Sequence, residues 1–129
     1  MKKTITTDMA PHALGPYSQG VEVNKVLYCS GQIGIDPQKG KLAGVSVVEQ
    51  AKQALQNIKA IVVADSLSVA DIVKVTVFMT NIADFSKVNE IYAEFFKDAP
   101  LLPARSAVGV QALPAEAKIE IEAIAAKHC

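Results

Sequence analysis

Hydrophobic and polar positions follow two periods along this chain, and the switches between them mark its elements. Residues 2–6 form a short run that suits an edge strand. Residues 10–16 hold two prolines and a glycine and read as a loop that delivers Tyr17 to the next strand. Residues 18–23 and 26–30 are β-rich and are separated by Asn24-Lys25, a pair that fits a tight hairpin. Gly31 and Gly34 interrupt that pattern, and Asp36-Pro37-Gln38-Lys39-Gly40 is turn chemistry. The period then changes. Ser46-Val47-Val48-Glu49 has capping-box form, and Val47, Ala51, Ala54, Leu55, Ile58, Ile61 and Val62 recur at three- and four-residue steps. That is an amphipathic helix laid on a sheet.

Alternation returns at residues 72–80, where Val73, Val75, Val77 and Met79 share one face of a predicted strand. Asp84 is placed to cap a second helix, with Phe85, Val88, Ile91, Tyr92, Phe95 and Phe96 as its apolar stripe. Ala99-Pro100-Leu101-Leu102-Pro103 is a stiff connector to two last strands, 105–110 and 118–126. In the last of these Ile119 and Ile121 face one way, Glu120 and Glu122 the other. The order ββ-β-α-β-α-β-β predicts an α+β domain over 1–129, a mixed sheet with two helices on one face. Its second face needs a cover, and a further copy of the chain is the simplest one.

Composition agrees with that picture. A chain of 129 residues is one domain by length, and half of its residues are hydrophobic. Zero formal net charge removes the repulsion that keeps chains apart and favours a homo-oligomer. It also offers no basic excess for a phosphate backbone. No apolar run approaches the ~20 residues of a membrane span, and no signal core follows Lys2-Lys3, so a cytoplasmic address is expected. Cys29 lies in an apolar run and reads as a small buried hydrophobe; Cys129 and His128 close the chain. His12 sits in a loop as a solvated base, and nothing has metal-ligand spacing.

Candidate chemistry centres on two residues fifteen positions apart. Arg105, in Pro103-Ala104-Arg105-Ser106, offers a planar fork that matches a carboxylate, although a surface ion pair is the commoner fate of an arginine. Glu120 or Glu122 is a candidate acid/base group, against the plain alternative of a solvated strand charge. On neighbouring strands such a pair would hold a small acid with one group and steer a water with the other. Tyr17 is a possible hydrogen-bond donor, and Asn89 shares a helix face with Phe85.

From end to end the chain resembles the RidA family of enamine/imine deaminases, whose members are also labelled L-PSP endoribonucleases. The resemblance rests on Gly15-Pro16-Tyr17-Ser18-Gln19-Gly20, Ser30-Gly31-Gln32-Ile33, Asp84-Phe85 with Val88-Asn89-Glu90-Ile91-Tyr92, Pro103-Ala104-Arg105-Ser106 and Ile119-Glu120-Ile121-Glu122-Ala123-Ile124-Ala125, in that order. It implies a chorismate-mutase-like fold, a homotrimeric barrel with clefts between subunits, and no cofactor. It implies hydrolysis of 2-iminobutanoate and 2-iminopropanoate, released by PLP-dependent dehydratases, to 2-oxo acids and ammonia. Carried over by position, Arg105 clamps the carboxylate and Glu120 handles the water. Tyr17, Ser30, Gly31 and Asn89 line the cleft, and Phe85 walls it. Many members carry Cys two residues after the arginine, where this chain has Ala107; with water as nucleophile, activity should survive that change. Asp65-Ser66-Leu67 also departs from the usual turn and is expected only to alter a helix cap.

Two other readings stand beside the deaminase. One is an endoribonuclease or translation inhibitor, which the neutral charge and seven Tyr plus Phe with no Trp argue against. The other is a non-catalytic trimer that binds 2-oxo acids through Arg105.

Overall fold

A computed structural model describes residues 1–127; His128 and Cys129 lie outside the described residues. Among the described residues eight strands and two long helices follow one another: β1 (Lys3–Ile5), β2 (Gly20–Val23), β3 (Val26–Ile33), β4 (Ile35–Asp36), β5 (Lys41–Leu42), α1 (Val47–Ala64), β6 (Ile72–Met79), α2 (Phe85–Phe95), β7 (Ala104–Gly109) and β8 (Ile119–Ala126). Six strands make one mixed sheet in the order β1-β2-β3-β8-β6-β7. Only β6 and β7 pair in parallel; the other neighbours are antiparallel. The crossovers β3-α1-β6 and β6-α2-β7 step in the same direction across the sheet, which carries both helices to one face. The expected α+β architecture is therefore present, with β4 and β5 added as a small separate hairpin where only a turn was foreseen.

Local chemistry explains the elements. Asn24 and Lys25 both take positive φ, 52° and 66°, the twist that a two-residue hairpin between β2 and β3 requires. Helix α1 starts at its capping box: Glu49 N donates to Ser46 Oγ at 3.1 Å and Ser46 N donates to Glu49 Oε1 at 3.3 Å. Its apolar stripe, Leu55, Ile58, Ile61 and Val62, packs on Leu27, Val77, Met79, Ile119 and Ile121 from the sheet. Each such side chain contributes about 1.5–3 kcal/mol when fully buried.

Polar groups inside the core tie elements together. Asn57, fully buried, donates to Ile33 O at 3.2 Å and Ile35 O at 2.9 Å. Gln50 accepts from Lys118 N at 2.7 Å and donates to Gly44 O at 3.0 Å, fixing the entrance of β8 to α1.

Three expectations need correction. Val73 does not share a face with Val75: a bulge between Ile72 and Lys74 turns Val73 outward, 48% exposed, and drops Ile72 into the core. Asp84 makes no side-chain cap to α2; a short 3-10 turn precedes the helix, and there Asn81 Oδ1 accepts from Ala83 N at 3.1 Å. Asp65 does more than alter a cap. Its buried carboxylate lies 3.6 Å from both Lys3 Nζ and Lys127 Nζ, beside Glu22. The Lys127 ammonium chiefly holds the Glu22 carboxyl below its ordinary range, against the opposing effect of burial.

The sheet face away from the helices stays uncovered in the single chain. Tyr28 and Val108 are exposed there, beside Phe78, Ile124, Glu120 and Glu122. Neither long helix is long and apolar enough to cross a membrane.

Candidate active site

One group of expected residues gathers on the uncovered face. Strand β3 carries an irregularity between Cys29 and Gln32, where Ser30 and Gly31 stand against a single residue of β8. The bulge brings the Gly31 backbone against the Glu120 carboxyl group, and a methyl group added at Gly31 would collide with Oε2. Only glycine leaves Glu120 its place. Ser30 is spent on architecture: its hydroxyl donates to Ser18 O at 2.6 Å and its N–H to Gln19 O at 2.9 Å. Buried Gln19 holds the loop before it, accepting from Thr7 N at 2.7 Å and donating to Pro11 O at 2.8 Å. That loop presents Tyr17, 53% exposed, to a cavity of about 1020 Å³ lined also by Ser30, Gly31, Ile33, Glu120 and Glu122. Burial, and then the charge of Glu122, pushes the Glu120 carboxyl above its ordinary range.

A second group gathers elsewhere. Arg105 on β7 pairs in register with Val75, whose side chain faces the helices, so Arg105 turns toward α2. There Arg105 Nη1 donates to Asn89 Oδ1 at 2.8 Å. Its guanidinium carbon lies 4.9 Å from the centre of the Phe85 ring and 4.6 Å from that of Tyr92. Among the described residues no carboxylate pairs with it.

Arg105 and Glu120 therefore do not meet within one chain. Strand β6 lies between β7 and β8, and the two side chains leave opposite faces of the sheet. The expectation of neighbouring strands is corrected, and neither Glu120 nor Glu122 approaches the guanidinium. Each half is nevertheless built. One offers a carboxyl group of raised proton affinity above a roomy cavity; the other offers an oriented fork with no acid of its own. Among the described residues, no three His, Cys, Asp or Glu side chains gather closely enough to hold a metal ion.

A family model described as endoribonuclease L-PSP matches residues 7–127. The chain belongs to the RidA (endoribonuclease L-PSP) family. It is 51% identical over 129 residues to the 2-iminobutanoate/2-iminopropanoate deaminase of Salmonella typhimurium, covering 99% of this chain and 100% of that one. Among solved structures it is similar to E. coli TdcF with bound serine, with a TM-score of 0.94, 48% identity, and 98% and 99% of the two chains covered. The E. coli YjgF gene product matches with a TM-score of 0.94 and 49% identity over 98% and 99% of the chains.

For this RidA-family chain, reading the sequence missed two parts of the site. Tyr92 under Arg105 carried a signal: it lies three residues after Asn89 and seven after Phe85, on the same helical stripe. Gln19 carried none, because nothing local tells a buried loop-holding amide from a surface one.

Proposed function

We propose that this protein is an enamine/imine deaminase that hydrolyses small 2-imino acids, 2-iminobutanoate and 2-iminopropanoate, to 2-oxo acids and ammonia. The site is completed in a homotrimer, where the Arg105 half of one copy faces the Tyr17–Gly31–Glu120 half of the next. The observation that carries the reading is the Arg105 fork, held by an amide and two rings and without a carboxylate among the described residues. An oriented, uncompensated fork calls for a carboxylate from outside. The similarity to a named 2-iminobutanoate/2-iminopropanoate deaminase and to a serine-bound relative supports a small α-carboxylate ligand.

The chemistry follows from the two halves. Arg105 receives the substrate carboxylate and fixes the C=N carbon beside Glu120. The ionised Glu120 takes a proton as water adds to that carbon, forming a carbinolamine. The proton then passes to the amine nitrogen. The C–N bond breaks as the hydroxyl becomes the carbonyl, and its proton leaves with ammonia as ammonium. A protonated imine is already an electrophile, so positioning and proton transfer suffice; a placed general base is worth on the order of 10²–10⁴-fold. Tyr17 edges the same cavity with its phenol available as a donor.

Coupling the protein to threonine dehydratase and following 2-oxobutanoate release tests the activity. Arg105→Ala and Glu120→Ala should each lose the acceleration. Reassembled together in equal amounts, the two dead variants should recover about one quarter of wild-type activity, since one interface in four then joins an intact Arg105 to an intact Glu120. Full activity in Arg105→Ala would refute the clamp, and no recovery on mixing would refute the shared site.

A further inference from the structure

We propose that Tyr92 is a positioning residue for this reaction: its ring is the floor that holds the Arg105 guanidinium in the orientation that receives the substrate carboxylate. The inference rests on the carboxylate-clamp reading above and adds a residue to it. Arg105 stands on the edge strand of the sheet and is exposed, with a long side chain that no salt bridge among the described residues fixes. Left alone, such a side chain samples many rotamers, and each substrate would have to order it. Helix α2 prevents this. Phe85, Asn89 and Tyr92 lie on one stripe at steps of four and three residues, and all three touch the guanidinium. Asn89 fixes one nitrogen of the fork, and the two rings fix its plane by the attraction of a cation for an aromatic face.

Of the two rings Tyr92 is nearer and better anchored. It is only 7% exposed, and it packs on Phe96 with ring centres 4.7 Å apart. Phe85 is only partly buried. Among the described residues the buried Tyr92 hydroxyl has no hydrogen-bond partner. What Tyr92 turns to Arg105 is its ring face. Size and burial alone would be met by leucine or methionine; a flat, electron-rich surface under a cation would not.

The test keeps size constant and changes the ring. Tyr92→Phe should leave KM for the imine and the Kd for 2-oxobutanoate unchanged, with no loss of melting temperature. Fluorinated phenylalanines placed at the same position drain the ring face stepwise without removing it. Across one to three fluorines KM and Kd should rise together, reaching about 3- to 30-fold, while kcat stays within about twofold. Tyr92→Met, which fills the space without a ring, should match the end of that series. A flat series in an active enzyme, or a fall confined to kcat or to melting temperature, would overturn the role of Tyr92 and leave the deaminase reading intact. Absence of both imine hydrolysis and oxo-acid binding in the wild type would instead remove the clamp reading, and this inference with it.

Discussion

Replacing Gly31 by alanine should separate catalysis from folding. A methyl group there would overlap Glu120 Oε2 and stand 2.9 Å from Cδ and 3.2 Å from Cγ of the same side chain. Ordinary carbon contacts are about 3.5–4.0 Å, so the carboxyl group must withdraw by about 1 Å. The obstructing atoms are the far end of a flexible side chain at a half-buried position, and a side-chain rotation clears them. The stability cost should then sit at the low end of the 1–3 kcal/mol typical of overpacking, a fall of about 3–5 °C in Tm. The catalytic cost should be larger, because misplacing a reacting group by about 1 Å costs on the order of 10²-fold. Gly34 supplies the contrast: a methyl there would meet the backbone of Gln50, 2.6 Å from its Cα and 2.9 Å from its carbonyl carbon. Helix α1 cannot move aside, so Gly34→Ala should lose the fold as well as the activity. Thermal melting and 2-oxobutanoate release measured on both variants decide the matter. Gly31→Ala with kcat/KM within about threefold of wild type would show that Glu120 does not need its seat on the β3 bulge.

Three further outcomes follow from titrating groups. Burial first, and the charge of Glu122 second, raise the Glu120 carboxyl, and the base must be ionised to work, so activity falls as pH drops through that raised value. Glu122→Gln removes the smaller cause and should move the acid limb of kcat/KM to lower pH; a limb that stays put or moves up would refute the coupling. The same raised carboxyl favours the folded chain at low pH, and that contribution is lost as pH rises from the ordinary glutamate range through the raised value, so Glu122→Gln should lessen the loss. Burial, aided by Asp65, pushes the Cys29 thiol up to about 12. In a Cys129→Ser background the native protein should therefore resist thiol reagents at pH 8 and react once unfolded, whereas prompt labelling of the folded chain would contradict the burial of Cys29.

Much of the fold could be read from periodicity, because a buried face imposes its period directly. Ile119, Ile121, Ala123 and Ala125 face the core as their alternation requires, and the Ser46–Glu49 box opens α1 where its letters stand. What escaped depends on contacts between distant positions. The bulges at Ser30–Gly31 and Val73 change which residues face inward; Gly31 interrupts the strand pattern without showing what it faces, and no local letter announces the bulge at Val73. Fifteen positions between Arg105 and Glu120 suggest proximity, but β6, placed earlier in the chain, inserts between their strands and sends them to opposite faces. Asp65 looked like a turn residue because its partners, Lys3 and Lys127, lie near the two ends of the sequence.

That last cluster also bears on solubility. Strand β1 is three residues long and forms one border of the sheet, covering the ladder of β2. A border strand whose hydrogen-bonding groups come free is a template for pairing with another molecule. Lys3 reaches both Glu22 on β2 and the buried Asp65, so its ammonium pins this short border strand to the body of the sheet. The charges around Asp65 thus act as a guard against edge-to-edge aggregation. Neutralising Lys3, or trimming β1 away, would bare the β2 edge before it unfolded the core.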